Sequence, residues 1–265
     1  MIRVALIGAG GRMGKALVRA ALERKDLTVS AAVVAEGSEK LGRDLGELAG
    51  AGKFGIEIGS DLSAALAACD VAIDFSNALA TAGVLAACTA AGKPLLLGTT
   101  GHAANMRQEF ERAARHIALL VAANTSLGVT VLLELVRQCA RQLPVQFDVE
   151  IIESHHRAKL DAPSGTALAL GQAVAESRGQ DLDEVAVHAR VAASGPRREG
   201  EIGFAVVRGG DVVGEHQVVF AGLGEQLTLA HRATDRAIFA RGALDAAAWL
   251  ARRPPGRYAM RDILF

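Results

Sequence analysis

Apolar residues fall at Ile2, Val4, Leu6 and Ile7, a short buried strand. They recur at Leu17, Val18, Ala21 and Leu22, one face of an amphipathic helix, and residues 29–34 read as a second strand. The chain therefore opens with a β-α-β unit of about thirty residues. Residues 37–60 mix glycine and charge with Leu41, Leu45 and Leu48, which predicts an irregular excursion with a short helical piece. Asp61 stands where it caps a helix over 62–68. Val71, Ile73 and Phe75 mark a strand, 78–91 a helix, 94–97 a buried strand, and 117–121 another after a helix that reaches His116. An apolar helix over 128–143 closes at Pro144. Phe147, Val149 and Ile151 then alternate with Asp148 and Glu150, as one half-buried strand requires. A helix over 163–178 takes Pro163 as its first residue. Strands follow at 187–191, 202–208, 212–221 and 226–233, with glycine turns at 209–210 and 222–224. A helix over 235–250 and a tail with Tyr258, Met260 and Ile263 are expected to return to the first half.

This order predicts an α/β protein in two parts. The first is a doubly wound parallel sheet of Rossmann type, residues 1–126 with 236–265. The second, residues 127–235, is an α+β domain on an open mixed sheet, read as largely antiparallel.

Two stretches add chemistry. Between the first strand and helix lies G-A-G-G-R-M-G, residues 8–14. Gly8 suits a tight turn, the middle glycines let a pyrophosphate approach the backbone, and Gly14 lets the helix lie close. The later parallel strands end in small polar residues: Gly98, Thr99 and Thr100 after one, and Asn124 after the next. Ligands of such sheets bind at the carboxyl ends of strands, so these residues are candidates for the nicotinamide side. The second stretch is E-I-I-E-S-H-H-R-A-K-L-D-A-P-S-G-T, residues 150–166. It places His155, His156, Arg157, Lys159 and Asp161 before a helix start. The backbone N–H groups of Ser164, Gly165 and Thr166 are expected to be free for an anion. Lys159, among basic neighbours, is well placed as a proton donor. A solvated basic loop with Asp161 as helix cap is the plain alternative. His102, His116, His188, His216 and His231 have no partner visible in the spacing and read as structural or surface residues.

Composition removes some classes. Basic and acidic residues balance at 29 each, which argues against a nucleic-acid partner. No apolar run reaches the length of a membrane span, and the chain enters a strand at Ile2 without a signal-peptide pattern. Cys69, Cys88 and Cys139 lie apart in apolar stretches, as reduced core thiols of a cytoplasmic protein do. No Cys/His spacing marks a metal site.

A nucleotide half joined to an anion pocket with acid groups predicts hydride transfer to a small anionic substrate bearing a conjugated C=N or C=O. At this point G-A-G-G-R-M-G, G-T-T-G, A-A-N-T-S and above all H-H-R-A-K-L-D-A-P-S-G-T resemble the 4-hydroxy-tetrahydrodipicolinate (dihydrodipicolinate) reductases of the diaminopimelate route to lysine. The likeness includes I-G-F-A-V-V-R-G-G-D-V-V-G-E-H at 202–216 and runs to the M-R-D-I-L end. It implies that Gly8, Ala9, Gly10, Gly11, Arg12 and Met13 hold the pyrophosphate and ribose, and that Gly98, Thr99, Thr100, Ala122, Ala123, Asn124 and Thr125 contact the nicotinamide end. It also implies that His155 is the acid/base residue, Lys159 the proton donor, and that His156, Lys159, Gly165 and Thr166 bind the carboxylates of a cyclic dicarboxylate. A homotetramer built through the second sheet is a further implication.

One departure bears on the cofactor. The family often has an acid followed by Arg after the second strand; here Val34 and Ala35 stand there, with Glu36 after them and its side chain expected to face away. Arg12, Lys40 and Arg43 are the candidates for a 2′-phosphate, so NADPH is expected to serve at least as well as NADH, with dual use. Two other classes are weighed. A redox-sensing binding protein has no use for the His155 and Lys159 cluster, and a semialdehyde dehydrogenase needs a nucleophilic cysteine in polar surroundings.

Overall fold

A computed structural model describes residues 1–103, 105–191 and 195–265. It divides into two compact units, Met1–Ser126 with Ala237–Phe265, and Leu127–Arg236.

The first unit begins with strand β1 (Ile2–Ile7), helix α1 (Arg12–Ala21) and strand β2 (Leu27–Val33). The excursion that follows holds α2 (Leu45–Ala49) and β3 (Ile58–Gly59), a strand the residue pattern does not announce. Asp44 organises this stretch. Its carboxylate accepts the backbone N–H groups of Phe54, Gly46, Glu47 and Gly55, which hold it below the usual carboxylate range. Asp61 caps α3 (Leu62–Ala67) by accepting the Ala64 N–H. Then come β4 (Val71–Asp74), α4 (Thr81–Ala90), β5 (Leu95–Leu97), α5 (Met106–Ala114) and β6 (Ala118–Val121). Strands β4 and β5 are buried throughout, as strands of a sheet covered on both faces are, and β4 ends in the buried acid Asp74.

The second unit runs through α6 (Leu127–Gln142), β7 (Asp148–His155), α7 (Gly165–Ser177), a short α8 (Leu182–Val185), β8 (Ala186–Val187), β9 (Ile202–Arg208), β10 (Gly214–Ala221) and β11 (Gln226–Ala233). The chain then returns to the first unit with α9 (Ala237–Leu250) and β12 (Gly256–Tyr258).

The first sheet has the order β12-β6-β5-β4-β1-β2-β3, all parallel. Strand order reverses between β1 and β4, the switch point of a doubly wound sheet. The second sheet has the order β11-β10-β7-β9-β8. It is less antiparallel than expected: β10 runs antiparallel to both β7 and β11, but β9 is parallel to β7 and β8. The reason is that α7 and α8 carry the chain from β7 back to β8, and a helical crossover returns it in the same direction, with β9 then filling the place between them in the same sense. Helices α6 and α7 cover one face of this sheet, where Val149, Ile151, Phe204, Val218 and Phe220 meet Leu132, Val136, Leu170 and Val174.

Other expected boundaries move. The strand expected over 187–191 ends at Val187, beyond which His188 stacks on Phe204 and Arg190 pairs with Glu150 and Glu201. Helix α7 starts at Gly165 rather than Pro163, because Ser164 takes the cap position and accepts the Ala167 N–H.

Candidate active site

The glycine loop behaves as its residue types demand. Gly8 has φ +77°, and a side chain there would press on the Phe75 backbone; a side chain at Gly14 would overlap Ala9. Helix α1 begins at this loop with Gly11 as its cap and no side-chain cap, so its first-turn N–H groups have no acceptor within the helix. They open on a cleft of about 470 Å³ at the carboxyl ends of β1, β2 and β4. Gly8, Gly10, Gly11, Lys40, Ser76 and Asn77 are in its wall. A shaped crevice at the switch point, glycines where a pyrophosphate would approach, and a bare helix N-terminus fit a dinucleotide.

Of the residues expected here, Ala9 is buried behind the loop, Met13 is half-buried, and Arg12 and Arg43 are exposed outside the cleft wall. Lys40 is in the wall, and its stem lies against Gly10, where a Cβ would come 2.5 Å from Lys40 Cδ. Glu36 is also in the wall beside Val34 and Ala35. Gly98, Thr99 and Thr100 follow β5, with Gly98 against the Phe75 ring and Thr99 Oγ1 donating to the Asp74 carbonyl at 3.5 Å. Ala122, Ala123, Asn124 and Thr125 follow β6. Asn124 Oδ1 accepts the Ser126 N–H at 2.8 Å, and Thr125 Oγ1 donates to the Phe239 carbonyl at 2.6 Å. These two stretches share the sheet's carboxyl edge but are not in the cleft wall.

The second cluster lies in the other unit. Strand β7 alternates burial along its whole length, so the inward face formed by Val149 and Ile151 continues through Glu153 and His155. His155 is 8% exposed, and its Nδ1 lies 2.5 Å from Glu153 Oε2. Glu153 is 1% exposed and accepts from Arg208 Nη1 at 2.8 Å, Arg208 Nη2 at 2.7 Å and the Ser164 N–H at 2.9 Å. Burial alone would raise the Glu153 pKa, but Arg208, His155 and Ser164 together hold it below the usual range. Burial lowers the His155 pKa and outweighs the pull of Glu153. At neutral pH the pair is therefore a neutral imidazole beside an ionised carboxylate.

His216, on β10 opposite Glu153, joins this cluster and corrects its reading as an isolated histidine. Its ring meets His155 edge-on at 5.1 Å, and its Nε2 is 2.9 Å from Ser164 Oγ. Burial first, and then the neighbouring His155, push its pKa down to about 4. The Ser164 N–H expected to be free for a ligand is spent on Glu153. Gly165 opens α7 and is exposed, with Thr166 half-buried next to it.

Lys159 sits in the loop between β7 and α7, where its N–H donates to the His156 carbonyl at 3.1 Å. Its Nζ pairs with an acid, Asp161, at 2.8 Å, rather than facing the bases around it in sequence. His156 is half-buried. Arg208 Nη2 also donates to the Asp161 carbonyl at 2.6 Å, and the Gly209 N–H to the His155 carbonyl at 3.0 Å, so the β9–β10 turn braces the loop.

Glu153 and Arg208 are the members that the residue pattern did not single out, while Ser164 was expected as a ligand donor and His216 as a structural or surface residue. The signal for Glu153 was available: carrying the period-two alternation of Val149 and Ile151 two steps further reaches Glu153 and His155. Cys69 and Cys88 are buried in the apolar core of the first unit, with burial pushing Cys88 up to about 12. Cys139 is half-buried and burial raises its thiol too, so none of the three has the polar surroundings of a thiolate nucleophile, which counts against the semialdehyde dehydrogenase alternative. No group of His, Cys, Asp and Glu among the described residues could hold a metal ion.

A nucleotide cleft at the switch point and a separate unit carrying a histidine–carboxylate pair define an NAD(P)H-dependent oxidoreductase with two functional halves. Comparison with known proteins gives the family. The family model for the dihydrodipicolinate reductase N-terminus matches residues 2–125, and that for its C-terminus residues 128–264. The chain belongs to the dihydrodipicolinate reductase family. It is 51% identical over 261 residues to the 4-hydroxy-tetrahydrodipicolinate reductase of Halorhodospira halophila, covering 98% of both chains. Among solved structures it resembles the dipicolinate-bound dihydrodipicolinate reductase of Paenisporosarcina sp. TG-14, with TM-score 0.77 and 24% identity over 98% of this chain and 97% of that one. A probable dehydrogenase from Thermotoga maritima shares the fold at TM-score 0.61 and 11% identity, over 99% and 92% of the two chains.

Proposed function

We propose that the chain reduces the dehydrated form of 4-hydroxy-tetrahydrodipicolinate to tetrahydrodipicolinate, with His155 and Lys159 handling the protons. The observation that carries this is the Glu153–His155 pair beside the Lys159 loop, at the start of a helix whose cap is already satisfied by Ser164. Bound NAD(P)H supplies the hydride; the conjugated ring takes up that hydride and one proton, and the product is the more reduced ring. Lys159, an ammonium donor, is the group that delivers the proton, and His155 offers Nε2 as acid or base. His156, Lys159, Gly165 and Thr166 are assigned to the carboxylates, since a helix start and cations favour anions. The dipicolinate held by the Paenisporosarcina protein supports a small cyclic dicarboxylate as substrate.

The glycine loop from Gly8 to Met13 is assigned to the pyrophosphate and ribose, and the residues after β5 and β6 to the nicotinamide end. We assign NADPH and NADH both as cofactors, with Lys40 favouring the former. The uncovered face of the second sheet supports assembly into a homotetramer. The unpaired cysteines support a cytoplasmic enzyme.

The test is a spectrophotometric assay with freshly generated 4-hydroxy-tetrahydrodipicolinate, following loss of reduced nicotinamide. Wild type consumes the cofactor only when substrate is present. Lys159→Ala should lower kcat by about a hundredfold or more, the usual worth of a proton donor or charge-stabilising group. Cofactor affinity should hold, because the glycine loop and its cleft are built within the first unit. Near-wild-type turnover in Lys159→Ala removes its assignment.

A further inference from the structure

We propose that Glu153 is the positioning residue that fixes His155 with its proton on Nδ1, so that Nε2 is the nitrogen offered to substrate. The proposal rests on the reading of His155 as the acid/base group. Three donors besides His155 converge on the Glu153 carboxylate: the two terminal guanidinium nitrogens of Arg208 and the backbone N–H of Ser164. None of them can accept a proton, so the carboxylate acts only as acceptor. The 2.5 Å contact to His155 Nδ1 is then a hydrogen bond donated by the imidazole. A neutral ring with its proton on Nδ1 has its lone pair on Nε2.

The surroundings defend that arrangement from each side. Glu153 faces the ring from β7, Arg208 from β9, His216 from β10, Ser164 from the start of α7 and Lys159 from the loop, with His231 of β11 behind His216. Ser164 Oγ accepts the Ala167 N–H and lies 2.9 Å from His216 Nε2. Burial first, and then the neighbouring His155, hold His216 below the usual imidazole range, which keeps a second positive charge away from His155. Nε2 itself lies over Gly214, where an added Cβ would come within 2.9 Å. Any side chain at 214 would push the ring edge that Glu153 aims.

Glu153→Gln keeps the shape but not the chemistry. The amide oxygen remains with Ser164 and one arm of Arg208, and the amide NH₂ turns to His155 Nδ1. The ring must then accept at Nδ1 and carry its proton on Nε2. Loss of the carboxylate in such a pair is known to cost activity through the wrong tautomer.

The experiment is nitrogen-edited NMR of isotope-labelled histidine rings in the full chain, with steady-state kinetics on the same samples. Signals of His155 are assigned from their loss in His155→Asn. Wild type should show the neutral ring with hydrogen on Nδ1. Glu153→Gln should move it to Nε2 and lower kcat at least about a hundredfold, with the cofactor KM unchanged within about twofold. Its pH profile should show the apparent pKa of the histidine displaced downward, since an anion beside the imidazolium is gone. Glu153→Asp, which keeps the charge, should keep hydrogen on Nδ1 and recover part of kcat. Hydrogen on Nε2 in wild type overturns the proposal, and that measurement needs no variant to fold. A Glu153→Gln enzyme within about threefold of wild type, beside an inactive His155→Asn, overturns positioning alone. A fully active His155→Asn removes the underlying reading, and the proposal with it.

Discussion

Lys40 lays its aliphatic stem against Gly10, and among the described residues it is the basic residue in the cleft wall. The same wall holds Glu36, whose carboxylate suits ribose hydroxyls. This pairing of one acid and one base accounts for expecting both cofactors. A charge-assisted bond to a 2′-phosphate is worth about 1.5–3 kcal/mol, roughly ten- to a hundredfold in affinity. Lys40→Ala should therefore lower kcat/KM for NADPH by about tenfold or more while leaving that for NADH nearly unchanged. Measuring both cofactors in wild type and variant decides this, and an unchanged ratio moves recognition of the phosphate elsewhere. The residue types at 34–36 did not tell which side chain enters the cleft. That depends on how the excursion after β2 folds back, which hydrogen bonds from the Ser38 N–H to the Ala35 carbonyl and from the Val34 and Gly42 N–H groups to the carbonyls of β3 hold in place.

Helix α7 is the element that joins packing to chemistry in the second unit. Its first turn holds Ser164, Gly165 and Thr166, while its middle lies on β9. At Gly171 an added Cβ would sit 2.6 Å from Phe204 Cζ and 3.2 Å from Leu182 Cδ1. Gly171→Ala should thus overpack the core and cost about 1–3 kcal/mol, although alanine is the better helix former. A urea midpoint equal to or above that of wild type would show that the sheet can yield there. Strand β7 shows how far an element can be read beforehand. Its alternation was plain at Val149 and Ile151, and it carried Glu153 inward as well. What pays for an acid on a buried face is Arg208, which arrives from a different strand through the β7–β9 register pairing His155 with Arg208.

At the scale of the whole molecule, the second sheet carries the helices packed on it among the described residues, α6 and α7, on one face. Its other face presents Ile152, Ala205, Val207 and Thr228, with Val207 52% exposed, and Arg190 and Arg197 screen the acids Asp148 and Glu150 at one end. This mixed face, with Gln217, Glu215 and Arg232 beside the apolar residues, is the one offered to a symmetric partner. Light scattering at micromolar concentration should give the mass of four chains, and a Val207→Glu variant should shift it to smaller species. A wild-type monomer would refute the assembly.

Local order was legible from the chain alone wherever a short segment decides its own conformation. The glycine spacing at 8–14 between strand and helix, the limits of β9 and β11, and the His155 to Thr166 string all depend on neighbours in sequence. They follow from φ freedom, period-two burial and helix-start chemistry. Tertiary structure alone decided that Arg208 and His216 belong with His155, that β7 and β9 run parallel, and that Lys40 rather than Arg12 or Arg43 enters the cleft. Each of these depends on register between strands, or on a loop's return path. Such choices are made by burial and hydrogen bonding between segments far apart in the chain, which no local pattern encodes.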